Sequence, residues 1–334
     1  MEVVVASHPS ALEHDTSEFH PERPARVGAV LEGIVDSGLP TIALESPEVK
    51  RSELALVHDP DYIEAIELFC KMGGGALDRD TLVSPESWTA ALTAAGGVVA
   101  ALEQLDQASD QTGFVVARPP GHHALRSRAM GFCLFNNVAV GAALLRSRGD
   151  RVAVLDWDVH HGNGSQAMFA PDPGILYVSI HQDGFYPFEG DVDDIELDAK
   201  GTTVNIPLPA GTAGDVYRRA WDEIVIPALL GFGADWVLVS AGFDAHASDE
   251  LAELRLVSSD YGWMASKLGT VHPPNRTLFV LEGGYDLEAI RESTSATLRG
   301  IGGETAFDPG LISPPQSSHA LGVAFAAVSR HWQI

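Results

Sequence analysis

The sequence predicts an α/β protein in which a central, mainly parallel β-sheet carries helices on both faces. Short apolar runs rich in β-branched residues alternate with helical patterns along the chain, and such runs are typical of buried parallel strands. The 334 residues are 45% hydrophobic, which is enough for a large core, and they contain neither a repeat of fixed period nor a low-complexity linker. We therefore expect one domain spanning residues 1–334.

Individual elements follow from these patterns. The predicted strands lie at 3–5, 114–117, 152–158, 175–180, 203–208, 236–244 and 277–284. The predicted helices lie at 26–38, 84–105, 136–149, 213–230 and 286–298, and Ser84-Pro85 and Asp286 are typical residues for a helix start. Long loops are predicted at 6–25, 70–84 and 181–202, and long loops in a compact domain are usually functional.

Composition limits the compartment and the partners of the chain. The formal net charge of −25 predicts no binding to nucleic acid or to anionic membranes; it suits cationic ligands, but also simple solubility. No apolar run approaches the roughly 18–20 residues of a membrane span, and the first residues lack the basic region of a signal peptide. Only two cysteines occur, Cys70 and Cys133, so we expect no disulfide framework and a cytoplasmic location.

The segment DWDVHHGNG, residues 156–164, places carboxylates and imidazoles at the end of a predicted buried strand. Burying an unpaired carboxylate is costly, so this cluster needs a partner, and a metal ion is the best candidate. Alternate residues of an extended strand share a face, so Asp156, Asp158 and His160 are expected to point the same way. Asp158 and His160 would then hold the metal together with Asp244, which follows another predicted strand.

Other polar groups follow neighbouring predicted strands, where ligands of open α/β sheets bind. The segment RPPGHHA supplies His122 and His123, and a neutral imidazole is the usual general base near neutral pH. The segment LEGGYD supplies Tyr285, whose phenol can donate a hydrogen bond to a developing oxyanion. Each motif alone is more typical of a structural role, whereas all of them together indicate a catalytic metal site.

The motifs RPPGHHA, GFCLFNN, DWDVHHGNG, SAGFDAH and LEGGY, in this order, resemble the zinc-dependent histone deacetylase family, which includes acetylpolyamine amidohydrolases and bacterial acetoin-utilisation-type proteins. The resemblance runs from about residue 20 to residue 286. It implies the arginase–deacetylase fold and the removal of acetyl or related acyl groups from N-acyl amines by a metal-activated water. Acetyl-lysine side chains of peptides or proteins are the expected substrates, and acetylated polyamines or other small amines are the alternative.

The resemblance also implies roles for individual residues. The zinc ligands would be Asp158, His160 and Asp244, with His123 as general base and Tyr285 polarising the acyl carbonyl. Supporting residues would be His122 as the electrostatic neighbour of His123, Asp156 orienting His122, and Asn163 contacting His123. A structural potassium ion would be held by Asp156, Asp158, His160, Ser179 and Ile180. The substrate tunnel would be lined by Gly131, Phe132, Tyr186, Leu251 and Gly283, with Phe185 and Phe188 as alternatives to Tyr186.

Two departures place the chain within that family. Asn163 stands where class I deacetylases carry Asp, and LEGGY replaces GGGGY, as is typical of class II and bacterial amidohydrolases. The short 70–84 loop and Leu251 at the expected gatekeeper position favour acetyl-lysine, whereas the neighbouring Glu250 would favour polyamines if it held that position, so the substrate class stays open. Competing hypotheses are an arginase-like ureohydrolase with two manganese ions and a non-catalytic acyl-lysine-binding module. The sequence leaves the oligomeric state open, and a homo-oligomer is one possibility.

Overall fold

The computed structural model describes residues 1–194, 202–304 and 311–332. Its main sheet is built from β1 (Glu2–Ser7), β2 (Thr41–Glu45), β5 (Gln111–Val115), β6 (Val152–Asp156), β7 (Ile175–Gln182), β8 (Thr203–Leu208), β9 (Trp236–Ala241) and β10 (Thr277–Leu281). These strands lie in the order β2-β1-β5-β10-β9-β6-β7-β8, and each pair of neighbours is parallel. A separate antiparallel hairpin joins β3 (Gly75–Ala76) to β4 (Leu82–Val83).

Helices connect the strands. They are α1 (Ser10–Glu13), α2 (Ala25–Asp36), α3 (Arg51–Leu54), α4 (Pro60–Lys71), α5 (Ser87–Asp106), α6 (Asn137–Ser147), α7 (Asn163–Phe169), α8 (Gly214–Ala220), α9 (Ile226–Phe232), α10 (Ser258–Val271), α11 (Leu287–Ile301) and α12 (Pro315–Val328). A π-helical turn, Trp221–Val225, joins α8 to α9, and a 3₁₀ turn, Pro274–Arg276, precedes β10. None of the described helices is long and apolar enough to cross a membrane.

Two hydrophobic cores lie on opposite faces of the sheet. Along β1, Val3 and Val5 pack into one core, whereas Val4 and Ala6 pack into the other, as the two-residue period of a strand requires. The first core is shared with α2 and with α8 to α12, and the second with α3 to α7. The predicted parallel sheet with helices on both faces is therefore confirmed.

Several predicted boundaries were wrong. The strand predicted at 152–158 ends at Asp156, and the strand predicted at 236–244 ends at Ala241. The helix predicted from Ser84 begins at Ser87, whereas Asp286 does cap α11 by accepting a hydrogen bond from the Ala289 N–H at 2.8 Å. The predicted loops at 6–25 and 70–84 contain α1 and the β3–β4 hairpin, respectively, and the loop at 181–202 lies partly outside the described residues.

Candidate active site

The candidate residues meet at the carboxyl end of four adjacent strands. In the sheet, β5, β10, β9 and β6 are neighbours in that order. The histidine pair follows β5, Tyr285 follows β10, Asp244 follows β9, and Asp156–His160 ends and follows β6. Because parallel strands end on the same edge, residues separated by more than a hundred positions in the sequence reach one place.

Asp158, His160 and Asp244 form a group with donor atoms within 4.8 Å of one another, and it is the one group of this kind found in the described part of the chain. His160 Nδ1 lies 3.0 Å from Asp158 Oδ1 and 3.2 Å from Asp244 Oδ2. The other carboxylate oxygens accept backbone hydrogen bonds, from Gly283 N–H at 2.8 Å and Val159 N–H at 2.9 Å. β6 has already ended, so the bend after Asp156, and not strand alternation, brings Asp158 and His160 together.

Two carboxylates at such close quarters strongly perturb one another. Burial and the charge of Asp158 raise the pKa of Asp244 to about 6. Burial also opposes ionisation of Asp158, but the neighbouring His122 and His160 hold the pKa of Asp158 well below its usual value. Burial disfavours the charged imidazole of His160, yet its hydrogen bond to Asp158 and its ion-pair contact with Asp244 raise its pKa to about 10. The group therefore has an excess of negative charge and attracts a cation.

His122 and His123 are neighbours whose rings are tilted by 44° against each other and whose electrostatic surroundings differ. Their ring centroids are 4.0 Å apart. His122 Nδ1 lies 3.1 Å from Asp156 Oδ2, which also accepts a hydrogen bond from the Tyr177 hydroxyl at 2.9 Å. His123 Nδ1 lies 2.9 Å from Asn163 Oδ1, and because that oxygen only accepts, Nδ1 carries the proton and Nε2 keeps its lone pair.

The two imidazoles consequently differ in charge. Burial opposes protonation of His122, but Asp158 and Asp156 outweigh it and raise the pKa of His122 to about 10. Burial lowers the pKa of His123 well below its usual value, and the charges of His122 and His160 lower it further. At neutral pH one ring is thus an imidazolium, and the other is a neutral base.

Tyr285 sits on a loop that comes very close to the carboxylates. A Cβ atom on Gly283 would lie 2.1 Å from Asp244 Oδ2, and Gly284 has a φ of +113°, so both positions require glycine. The guanidinium carbon of Arg26 lies 5.2 Å from the Tyr285 ring centroid. Burial and then the charge of Asp244 raise the pKa of Tyr285 well above its usual value, so the phenol stays protonated and can donate.

A cavity of about 220 Å³ leads to these groups. All five predicted tunnel residues line it, together with Asp80, Pro120, His122, His123, His160, Phe185 and Tyr285. The rings of Phe132 and Tyr285 meet edge to face at 5.9 Å, and Tyr186 meets His123 in the same way at 5.1 Å. Phe185 stacks on His160 at 5.5 Å and is a second wall residue, whereas Phe188 is 78% exposed and does not line the cavity.

Of the residues predicted to hold potassium, Asp158 and His160 belong to the group described above, and Asp156, Ser179 and Ile180 lie on β6 and β7. Asp156 in β6 is paired in register with Ser179 in β7, and Ile180 follows directly. All three are buried. The Ser179 hydroxyl lies 2.9 Å from His181 Nδ1, and Tyr217 donates a hydrogen bond of 3.5 Å to the Ile180 carbonyl. The backbone pairing thus brings together residues that are more than twenty positions apart.

Sequence reasoning missed two buried charges that organise the site. Glu282 accepts hydrogen bonds from the N–H groups of Gly121 at 2.7 Å and His122 at 3.1 Å, so it fixes the main chain beneath the histidine pair. Arg26 donates to the Gly284 carbonyl at 2.5 Å and to the Glu282 carbonyl, behind Tyr285. Glu282 could have been noticed because it is a charged residue inside the apolar run TLFVLEGG. No sequence pattern indicates the contacts that Arg26 makes.

Comparison with known proteins identifies the family. Residues 20–301 match the sequence profile of the histone deacetylase domain. A probable deacetylase of Methanothermobacter thermautotrophicus is 37% identical over 93% of this chain and 94% of its own length. A histone deacetylase-like amidohydrolase of Pseudomonas aeruginosa is 38% identical over 83% of this chain and 74% of its own length.

A solved structure agrees with these matches and with the fold described above. The crystal structure of the HDA15 HD domain superposes with a TM-score of 0.88 and 31% identity, and the match covers 98% of this chain and 95% of that one. The predicted arginase–deacetylase fold is therefore confirmed. Sequence profile, relatives and structure all lead to one conclusion: the chain belongs to the histone deacetylase family.

Proposed function

We propose that the protein is a zinc-dependent deacylase that removes acetyl groups from N-acetyl-lysine side chains. The observation that carries this proposal is the meeting of three groups on one cavity. A cation-attracting cluster of Asp158, His160 and Asp244 lies beside a neutral base, His123, and a phenol donor, Tyr285. Each of the three groups has a different task in amide hydrolysis.

The donor set fits zinc. Two carboxylates and one imidazole are ligands that zinc accepts, and three protein ligands leave a coordination position open, as in catalytic sites. Asp244 Oδ2 is buried and makes no well-aligned hydrogen bond to any described residue, although it lies 3.2 Å from His160 Nδ1. An uncompensated buried carboxylate oxygen is costly, and a bound cation would compensate it. Zinc would supply Lewis acidity, which polarises an acyl carbonyl and makes water a stronger nucleophile.

The histidine pair would manage the protons. His123 Nε2 has a free lone pair because Asn163 holds the proton on Nδ1, so His123 can accept a proton from the attacking water. The His122 imidazolium, 4.0 Å away, disfavours a second positive charge on His123. His123 therefore readily returns its proton to the departing amine. Asp156 keeps His122 charged and oriented throughout.

Tyr285 and the tunnel would bind the acyl amide. The protonated phenol donates a hydrogen bond to the acyl oxygen, which becomes more negative in the transition state, and this is a large source of rate enhancement. Aromatic walls formed by Phe132, Phe185 and Tyr186 exclude water and pack against an alkyl chain. The cavity of about 220 Å³ leaves room for a slender substituent, such as an acyl-lysine side chain, and not for a bulky one.

A second candidate substrate is an acetylated polyamine. One observation favours it: a groove of about 410 Å³ adjoins the tunnel through Leu251 and Tyr285 and is lined by Glu18, Glu250 and Asp286 among others. Carboxylates there would attract the free ammonium groups of a polyamine.

Our proposal for this protein also includes a structural potassium ion, held by Asp156, Ser179 and Ile180, and a cytoplasmic location. They are supported by the register of β6 with β7 and by two buried free thiols, respectively.

The test is kcat/KM of the zinc-loaded protein on an acetyl-lysine peptide and on an acetylated polyamine, measured side by side. We expect the peptide to be preferred by more than about 100-fold, which corresponds to roughly 2.7 kcal/mol of transition-state discrimination. A preference of the same size for the polyamine would show that polyamines are the substrate class, while the proposed deacylase chemistry would stand. Absence of turnover on both substrates, with one zinc bound, would contradict the deacylase and leave the acyl-binding module.

A further inference from the structure

Asp249 is a buried carboxylate that the proposed chemistry does not use. It lies five residues after Asp244 and is 5% exposed. Its Oδ2 accepts hydrogen bonds from the Tyr285 N–H at 2.6 Å and the Asp286 N–H at 3.2 Å, and its Oδ1 accepts one from the Leu251 N–H at 3.0 Å. Backbone N–H bonds to a carboxylate are stronger than those to a neutral oxygen. One side chain therefore holds two separate segments of the main chain.

The segment that ends at Tyr285 cannot be stiffened by its own side chains. Gly283 must lack a Cβ because Asp244 Oδ2 would lie 2.1 Å from it, and Gly284 adopts a φ of +113°. Two successive glycines leave the chain before Tyr285 with unusual conformational freedom. The position of the phenol must therefore be fixed by contacts from outside the loop.

Two oppositely charged side chains provide these contacts. Arg26 donates hydrogen bonds to the carbonyls of Glu282 and Gly284, and Asp249 accepts hydrogen bonds from the amides of Tyr285 and Asp286. The carbonyls and the amides of one short loop are thus bound by a guanidinium and by a carboxylate. Of the two side chains, Asp249 also holds Leu251, which lines the tunnel.

We propose that Asp249 is a positioning residue that fixes the Tyr285 hydroxyl in the site and links its position to Leu251 at the tunnel. This inference rests on the proposed deacylase function for its kinetic readout. A substrate that packs against Leu251 would act, through one carboxylate, on the loop that carries the phenol. A misplacement of about 1 Å in a catalytic group can lower a rate by roughly 100-fold.

The kinetic test is a double-mutant cycle of D249N with Y285F. The amide of D249N keeps one acceptor oxygen and turns an NH₂ group toward N–H donors that the carboxylate had bound. We expect D249N to lower kcat by about 10- to 100-fold with little change in KM. In the Y285F background D249N should have almost no further effect, because residues that act as a unit are strongly non-additive. D249E, which restores the charge, should recover part of the activity.

A matched control separates positioning from general loss of a buried carboxylate. Asp260 is 1% exposed and accepts a hydrogen bond from the Val257 N–H at 3.0 Å at the start of α10. We expect D260N to lower stability while leaving kcat close to the wild-type value. The inference would be overturned if D249N and D260N lowered kcat equally. It would also be overturned if the fold-loss of kcat in the double variant equalled the product of the losses in D249N and Y285F.

Hydrogen exchange tests the same point without any substrate or turnover. In D249N the amides of Leu251, Tyr285 and Asp286 should exchange faster, whereas in D260N they should keep their wild-type rates. Unchanged protection of these amides in D249N would refute the positioning role even if the wild-type protein proved inactive. A wild-type protein that is inactive but shows this specific loss of protection would refute the proposed deacylase function and leave the positioning role standing.

Discussion

Two buried charged clusters lie close together in this protein, and they balance their charges differently. In the first, Glu22 is fully buried, and its Oε1 accepts hydrogen bonds from Arg26 at 3.0 Å and Arg118 at 2.7 Å. Arg118 also donates to the carbonyls of Ala11 and His14, both at 2.7 Å. Burial disfavours the charge on Glu22, but the two guanidinium groups outweigh it and lower the pKa of this carboxyl below its usual value.

We call this first cluster balanced because its one carboxylate is paired by guanidinium groups. We call the second cluster, the candidate active site, unbalanced because its carboxylates outnumber its cations. Its carboxylates are Asp156, Asp158, Asp244 and Glu282, and its cations are two imidazoles, those of His122 and His160. Burial raises the pKa of Glu282 to about 7, and burial together with Asp158 raises that of Asp244 to about 6. The comparison teaches that arginine can neutralise a buried carboxylate from within the chain, whereas an excess of buried carboxylates favours the binding of an external cation, as proposed above for this site.

The largest expected effect is on catalysis in the unbalanced cluster. Replacing His123 with Ala removes the proposed general base and should lower kcat/KM by about 10²- to 10⁴-fold. The free energy of unfolding should fall by less than the roughly 3–5 kcal/mol of a large core truncation, because His123 lines the cavity and makes one hydrogen bond, to Asn163, besides its ring contacts with His122 and Tyr186. The matched control is His14→Gln in the balanced cluster, where His14 Nδ1 lies 2.6 Å from the Ser87 hydroxyl. His14→Gln should lower the free energy of unfolding but leave kcat/KM unchanged. A loss of kcat/KM in His14→Gln, with none in His123→Ala, would contradict a catalytic role for one cluster and a structural role for the other.

The next effect is on stability in the balanced cluster. Glu22→Gln leaves two buried guanidinium groups without their counter-charge, and breaking a buried pair in this way costs about 3–5 kcal/mol. We expect this loss in the free energy of unfolding, measured with denaturant in the absence of metal. Asp244→Asn, which removes a carboxylate from the unbalanced cluster, should leave the metal-free protein at least as stable as the wild type. Comparable losses in both variants would show that the two clusters do not differ.

A third effect concerns the proposed zinc ion. Zinc at about 100 times its Kd should stabilise the folded wild-type protein by about 2.7 kcal/mol, because a ligand that binds only the folded state shifts the unfolding equilibrium. This stabilisation should disappear in Asp244→Asn and persist in Glu22→Gln. Thermal unfolding with and without zinc measures both. An equal zinc response in wild type and Asp244→Asn would remove Asp244 from the ligand set.

Sequence reasoning reached most of the sheet because buried parallel strands are apolar runs. It missed β2, an edge strand whose residues are alternately exposed and half-buried and therefore lack such a run. It also missed α10, although Tyr261, Met264, Ala265 and Leu268 are buried at helical spacing, because the glycines and serines of this segment weaken its helix propensity. The strands predicted at 152–158 and 236–244 end earlier, at Asp156 and Ala241, because the chain bends there, and hydrophobic periodicity does not predict such bends.

At the site, two of the three residues of the proposed metal group, Asp158 and His160, could be predicted because DWDVH places them two positions apart, and Asp244 could be predicted because it follows another apolar strand. The supporting residues could not, because they act through the main chain of distant segments. Asp249, Glu282 and Arg26 bind main-chain N–H or carbonyl groups of distant segments, and nearly every residue type carries such groups. Sequence patterns report side chains, so a residue whose partner is a backbone group leaves no signal at the partner's position.

The smallest expected effect tests a buried imidazole whose pKa is set chiefly by burial. Burial lowers the pKa of His58 to about 4. Both nitrogens of the neutral ring have a hydrogen-bond partner. Nε2 accepts a hydrogen bond from the Asn136 N–H at 2.9 Å, and Nδ1 lies 3.3 Å from the Arg126 carbonyl. Because the folded pKa is depressed, the unfolded state binds a proton that the folded state refuses as the pH falls below about 6.5.

His58 should therefore stabilise the protein fully above that pH and progressively less down to its folded pKa of about 4. Between about pH 7.5 and about pH 5.5 the expected loss is about 1 kcal/mol from this one residue. In His58→Gln, an amide oxygen can still accept from Asn136 but nothing titrates, so the pH dependence of unfolding should flatten by that amount. A pH dependence identical to the wild type would mean that protonation of His58 is compensated inside the fold.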